Sequence, residues 1–122
     1  MNIFDWLLIG HLLGDWLLQN DWMARGKKQA FFTCAGMVHF TLYTATTLGT
    51  LWFSNTVATT MTLYLGFGAF IFTSHWLIDA TDVVERWMRL YQQSNLALVR
   101  LMVDQALHLL VLALLAAAYS GG

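Results

Sequence analysis

Four apolar stretches of this chain each carry a histidine, and three of them pair it with an aspartate four residues away: His11 with Asp15, His75 with Asp79, and Asp104 with His108. On a helix, residues i and i+4 lie one above the other, so each pair can present an imidazole nitrogen and a carboxylate oxygen on one face. His39, the fourth histidine, has no such partner. Imidazole nitrogens and carboxylate oxygens are the ligand set of a divalent metal ion. The candidate ligands are therefore His11, Asp15, His39, His75, Asp79, Asp104 and His108, with zinc, manganese and iron not distinguished. Two ions sharing bridging carboxylates fit the same set. Gln19 continues the His11–Asp15 stripe and Gln105 follows Asp104. Both suit the orienting of a ligand or a water rather than binding the ion. Any of Asp15, Asp79 and Asp104 could serve as general base toward a metal-bound water.

These side chains stand where they are costly. The chain is 58% hydrophobic and 11% charged, against about 25% charged in a typical soluble domain. Runs over about 3–20, 30–53, 56–80 and 96–119 are each long enough to cross roughly 30 Å of hydrocarbon. An aspartate in mid-span costs about 2.5–3.5 kcal/mol. Asp15, Asp79 and Asp104 left unpaired would cost roughly 8–10 kcal/mol, comparable with the whole stability of a domain. Arg100, one turn before Asp104, is the one basic residue in any of these runs. The compensating charge must then come from Arg100, protonated histidines, bound protons or a metal ion. A proton-linked hydrogen-bond network is the main alternative to a metal. Haem ligation is another, but it leaves three aspartates unexplained.

The elements that must position these groups are four helices. The expected fold is all-α, a single domain over 1–122, built as an antiparallel four-helix transmembrane bundle. All six basic residues (Arg25, Lys27, Lys28, Arg86, Arg89, Arg100) lie in or beside the first and third connections, and the Ser54-Asn55 connection and both termini carry none. The positive-inside rule then places both basic connections in the cytoplasm and the N and C termini outside, in a multi-pass protein of the inner (cytoplasmic) membrane. Counted at 1.5 Å per residue from the cytoplasmic ends, the polar groups of all four helices fall in one layer in the cytoplasmic half of the bilayer. Gly10 and Gly14 form a Gly-x-x-x-Gly beside the first polar stripe, a signal for close helix approach. Gly66-x-Gly68 is one candidate contact for a partner on an exposed face. Asn20-Asp21 is expected to end helix one, and Arg25 to Lys28 to form a turn that sets topology and meets anionic headgroups. Helix three is expected to continue past the membrane through Asp82, Glu85, Arg86 and Arg89 as an amphipathic extension.

A lone Cys34 excludes an intrachain disulfide and a cysteine-rich metal motif. The short juxtamembrane basic cluster gives no support to nucleic-acid binding. Without a basic leading region, and with Asp15 inside it, the first run reads as a retained helix rather than a signal peptide.

The segments His11-Leu-Leu-Gly-Asp15-Trp-Leu-Leu-Gln19-Asn-Asp-Trp, the isolated His39, His75-Trp-Leu-Ile-Asp79 and Asp104-Gln105-Ala-Leu-His108 resemble, in order and over nearly the whole chain, a family of short bacterial and phage membrane proteins catalogued as domain of unknown function 3307. The resemblance implies a pattern of polar intramembrane residues without an established activity. A basic residue shortly after Ile78-Asp79 is expected from it, whereas here Asp82 comes first and Arg86 later. Two function classes follow. One is a metal-dependent hydrolase of a membrane-borne substrate. The other is a non-catalytic metal- or proton-binding subunit or modulator of a larger membrane assembly, partnered by the bilayer and by another membrane protein or a second copy of itself. An open position beside a lipid-accessible cleft favours the first; a closed site favours the second.

Overall fold

The computed structural model describes residues 1–58 and 60–121. They form α1 (Ile3–Leu12), a π-helical turn (Leu13–Leu17), α2 (Asp21–Gln29), α3 (Cys34–Ser54), α4 (Met61–Ala80), α5 (Val83–Leu90) and α6 (Ala97–Gly121), with no strand among the described residues. Most helix starts are set by a side chain that accepts from an otherwise unpaired backbone N–H. Asn2 and Asp5 form a reciprocal capping box on α1, Thr33 caps α3 and Thr60 caps α4. Those two threonines start the second and third long helices a few residues later than the apolar runs beginning near 30 and 56 suggest.

The single helix expected over 3–20 is instead broken. Leu18 N–H donates to the Leu13 carbonyl at 2.9 Å, five residues back, which closes a π turn around Asp15. Asn20 is then extended and accepts from Met23 N–H at 3.0 Å. The Asn20-Asp21 pair thus begins a new helix rather than ending the old one. Arg25 to Lys28, expected as a turn, lie within α2. The ten residues of α1 and five of the π turn reach only about 20 Å. At the other connection the chain is extended at Thr81, so the expected continuation of helix three is a separate helix, α5. Val84 and Met88 of α5 are buried with Ile78, against Val99 and Val103 of α6.

The four long segments run alternately up and down. Gly10 faces Thr47 and Gly14 faces Tyr43, so α1 and α3 are antiparallel. His39 meets His75 while Leu48 meets Gly68, which reverses α4 against α3. Phe67 lies against Tyr119 and His75 against His108, which reverses α6 against α4. A Cβ on Gly10 would stand 2.6 Å from the Thr47 Cα, and one on Gly14 3.0 Å from the Tyr43 Cα. The Gly-x-x-x-Gly is therefore a backbone-to-backbone crossing, and Thr50 tightens it by donating to the Trp6 carbonyl at 2.9 Å. Gly66 faces open space, and Gly68 lies against Leu48 of α3.

Among the described residues, two helices are long and apolar enough to cross a membrane, α4 over Met61–Ala80 and α6 over Ala97–Ser120, with mean hydropathies of 1.3 and 2.0. Only 22% of each apolar window is buried inside the chain, unlike the core helix of a soluble domain. At the end remote from the basic residues, Ile3, Leu7, Leu51, Phe67, Ile71, Leu112 and Leu115 form an apolar plug. The polar layer lies between this plug and the end covered by α2 and α5.

Candidate metal centre

Asp15, on the π turn, meets His39 of α3 and His75 and Asp79 of α4 in the centre of the bundle. Each offers one ligand atom within 4.8 Å of the others, and all four side chains are buried. His39 Nε2 lies 2.8 Å from His75 Nε2, 3.2 Å from Asp15 Oδ1 and 3.4 Å from Asp79 Oδ2. His75 Nε2 lies 3.1 Å from Asp79 Oδ2 and 3.7 Å from Asp15 Oδ1. A tetrahedral ion with bonds of 2.0–2.1 Å has ligand-to-ligand edges of about 3.3 Å. The observed distances bracket that value. Two nitrogens and two oxygens this close need a hydrogen or a cation among them, and the cluster could hold a metal ion. Asp15 Oδ1 has no hydrogen-bond partner although it is buried.

A further charge reaches the cluster from α2. Lys27 Nζ donates to Asp79 Oδ2 at 2.8 Å and lies 3.7 Å from Asp15 Oδ1, with its side chain only 7% exposed. Burial disfavours the ammonium, but the carboxylates of Asp79 and Asp15 outweigh that and raise it above the ordinary lysine value. Gly26 lets α2 lie directly on Ala35 of α3, where a Cβ would collide, and Thr33 donates to the Gly26 carbonyl at 2.7 Å. Sequence reasoning treated Lys27 as a surface residue because the break before α2 was not recognised. The signal was present in Asn20, a capping residue followed by nine residues that hold Met23, Gly26 and Lys27 on one buried face. Arg100, one of the four expected sources of counter-charge, points elsewhere: it donates to Asn95 at 2.7 Å and lies 3.6 Å from Glu85.

The remaining expected residues surround this core. His108 Nδ1 donates to its own helix at the Asp104 carbonyl, 2.7 Å away, which turns Nε2 toward Asp79 Oδ1 at 3.3 Å. Neither of those two atoms has a hydrogen-bond partner. Asp15, Asp104 and His108 form a second group of three ligand atoms within 4.8 Å of one another. Gln105 ties the layer together: its amide donates to Asp15 Oδ2 and Asp104 Oδ2, both at 3.1 Å, and its oxygen lies 2.7 Å from His11 Nε2. His11 is the histidine whose two nitrogens are both engaged, the second by Tyr43 Oη at 2.9 Å. That occupies it as a brace rather than leaving a lone pair for an ion. Tyr43, not anticipated, also stacks on the His75 ring at 3.8 Å and 15°. Gln19 touches none of the cluster by hydrogen bond; its buried oxygen is unpartnered.

A cleft of about 520 Å³ opens beside the layer, between the π turn and α2 on one side and α5 and α6 on the other. Asp15, Lys27, Asp104 and Gln105 lie on its polar wall, Trp16, Val84 and Leu101 on its apolar one, and Lys28, Glu85 and Arg100 also line it.

Fold and site together define a helical protein with two described helices long and apolar enough to cross a membrane, and a buried His/Asp cluster that could hold a metal ion. The family model described as a protein of unknown function, DUF3307, matches residues 3–121, and the chain belongs to that family. No curated protein and no solved structure matches it.

Proposed function

We propose that this chain spans the inner membrane four times with both termini outside, binds a divalent cation, and uses it to hydrolyse a membrane-borne substrate. The proposed ligands are Asp15, His39, His75 and Asp79. The observation that carries the reading is that a buried set of two nitrogens and two oxygens, all within 4.8 Å of one another, adjoins an open cleft with one apolar wall. A bound ion would lower the pKa of its water toward neutrality. That water would be reached from the cleft, beside Asp104 and Gln105. The charges fit: three carboxylates against one ammonium, with neutral histidines, leave two negative charges, which one divalent ion cancels. All six basic residues lie in α2, α5 or the first turn of α6, at the site end of the bundle, supporting a cytoplasmic mouth. The short α1 would cross the bilayer only with local thinning or with α2 lying in the interface.

The Lys27–Asp79 pair favours one other reading, a metal-free, proton-linked network in a non-catalytic subunit. Metal analysis of the detergent-purified protein separates the two. Wild type should carry bound metal that His39→Ala and Asp79→Asn lose, and metal-loaded wild type, unlike His75→Ala, should release headgroups or fatty acid from a bacterial lipid extract. Folded wild type that retains no divalent ion after incubation and dialysis rejects the metal reading.

A further inference from the structure

We infer that the layer holds a second divalent cation, bound by His108 and Asp104 and sharing the carboxylates of Asp15 and Asp79 with the first. This rests on the first ion being present. The inference starts from atoms that face one another without a hydrogen bond between them. Because His108 Nδ1 donates to the Asp104 carbonyl at 2.7 Å, the neutral ring carries its lone pair on Nε2. That lone pair confronts Asp79 Oδ1, a carboxylate oxygen, at 3.3 Å. Both atoms are buried and unpartnered, and so is Asp104 Oδ1. Two acceptors held face to face in a dry interior repel unless a proton or a metal ion lies between them. A carbonyl bond that fixes the opposite nitrogen is also how ligating histidines are commonly oriented.

The carboxylates are placed to bridge. Asp79 Oδ2 faces His39 and His75 while its Oδ1 faces His108. Asp15 belongs to both groups of ligand atoms, the inner one with His39, His75 and Asp79 and the outer one with Asp104 and His108. Each ion would thus take its own histidines and share two carboxylates, an arrangement of the kind used to clamp attacking and leaving oxygens in hydrolysis. The second ion is the one at the cleft, since Asp104 and Asp15 both line it. With both ions bound, the layer carries two positive charges beyond its carboxylates. That excess would draw an anionic headgroup into the cleft and favour a bound hydroxide. The outer ion should bind more weakly than the inner one for the same reason.

The full-length protein in micelles, stripped with chelator and titrated with Mn²⁺, tests this by metal content and electron paramagnetic resonance. Wild type should take up two ions per chain with the spectrum of a spin-coupled pair, the second with at least tenfold weaker affinity. Asp104→Asn with His108→Gln should keep one uncoupled ion. Should that double variant fail to fold, Asp104→Asn alone, at the cleft wall, should weaken the second binding step at least tenfold and leave the first. One ion in wild type, unchanged by these substitutions, overturns the second site and leaves the first standing. Two uncoupled ions overturn the shared carboxylates. No bound ion overturns both.

Discussion

Replacing Lys27 by methionine keeps the length of the side chain and removes the ammonium that lies against the Asp79 carboxylate. Lys27 Nζ lies 2.8 Å from Asp79 Oδ2, with side-chain exposures of 7% and 0%. Removing one partner of a buried ion pair costs about 3–5 kcal/mol, because the other charge is left uncompensated. Here the cost should fall at the lower end, about 3 kcal/mol, since the imidazoles of His39, His75 and His108 lie within 3.1–3.4 Å of Asp79 and leave it polar neighbours. The lost contribution of the Lys27 pair itself should be the same at about pH 6 and about pH 8. In wild type, the contribution of the Lys27 pair is fully present below the ordinary lysine value. It disappears only as pH climbs through the raised folded value, so it does not vary near neutrality. A divalent ion at a hundredfold excess over its Kd should return about 2.7 kcal/mol to the variant. The assay is thermal unfolding in micelles, with chelator and then with zinc, at both pH values. A variant as stable as wild type in chelator at both pH values refutes the assigned role of Lys27.

Gly10→Ala puts a methyl 2.6 Å from the Thr47 Cα and forces α1 away from α3 beside His11; Gly14→Leu does the same beside Asp15. Each should lose about 1–3 kcal/mol of stability and weaken ion binding, and variants equal to wild type in unfolding and metal content would refute the crossing. In a Cys34→Ser background, a cysteine at Ser54 should react with an impermeant reagent from outside the cell and one at Gln29 from the cytoplasm. The opposite pattern would reverse the topology.

Much of the site was legible from spacing. Histidine and aspartate four apart on apolar helices can share one helical face, and an apolar segment cannot leave a carboxylate unpaired, so the groups had to seek one another. The Gly-x-x-x-Gly crossing was legible for a related reason: two missing side chains on one face serve mainly to admit another backbone. Helix identity and antiparallel order followed from apolar length and short connections. What the sequence left open was decided by hydrogen bonds between distant residues. His11 and His108 occupy equivalent i,i+4 pairs, yet Tyr43 and Gln105 consume both nitrogens of one while a backbone carbonyl frees Nε2 of the other. Lys27 looked like an interfacial cation because charge on a short polar segment ordinarily seeks water. The π turn at Leu13–Leu17 and the close approach of Gly26 to Ala35 turn that segment back over the site. Whether a lysine faces water or a buried carboxylate depends on where its helix docks, and docking is a property of the folded chain.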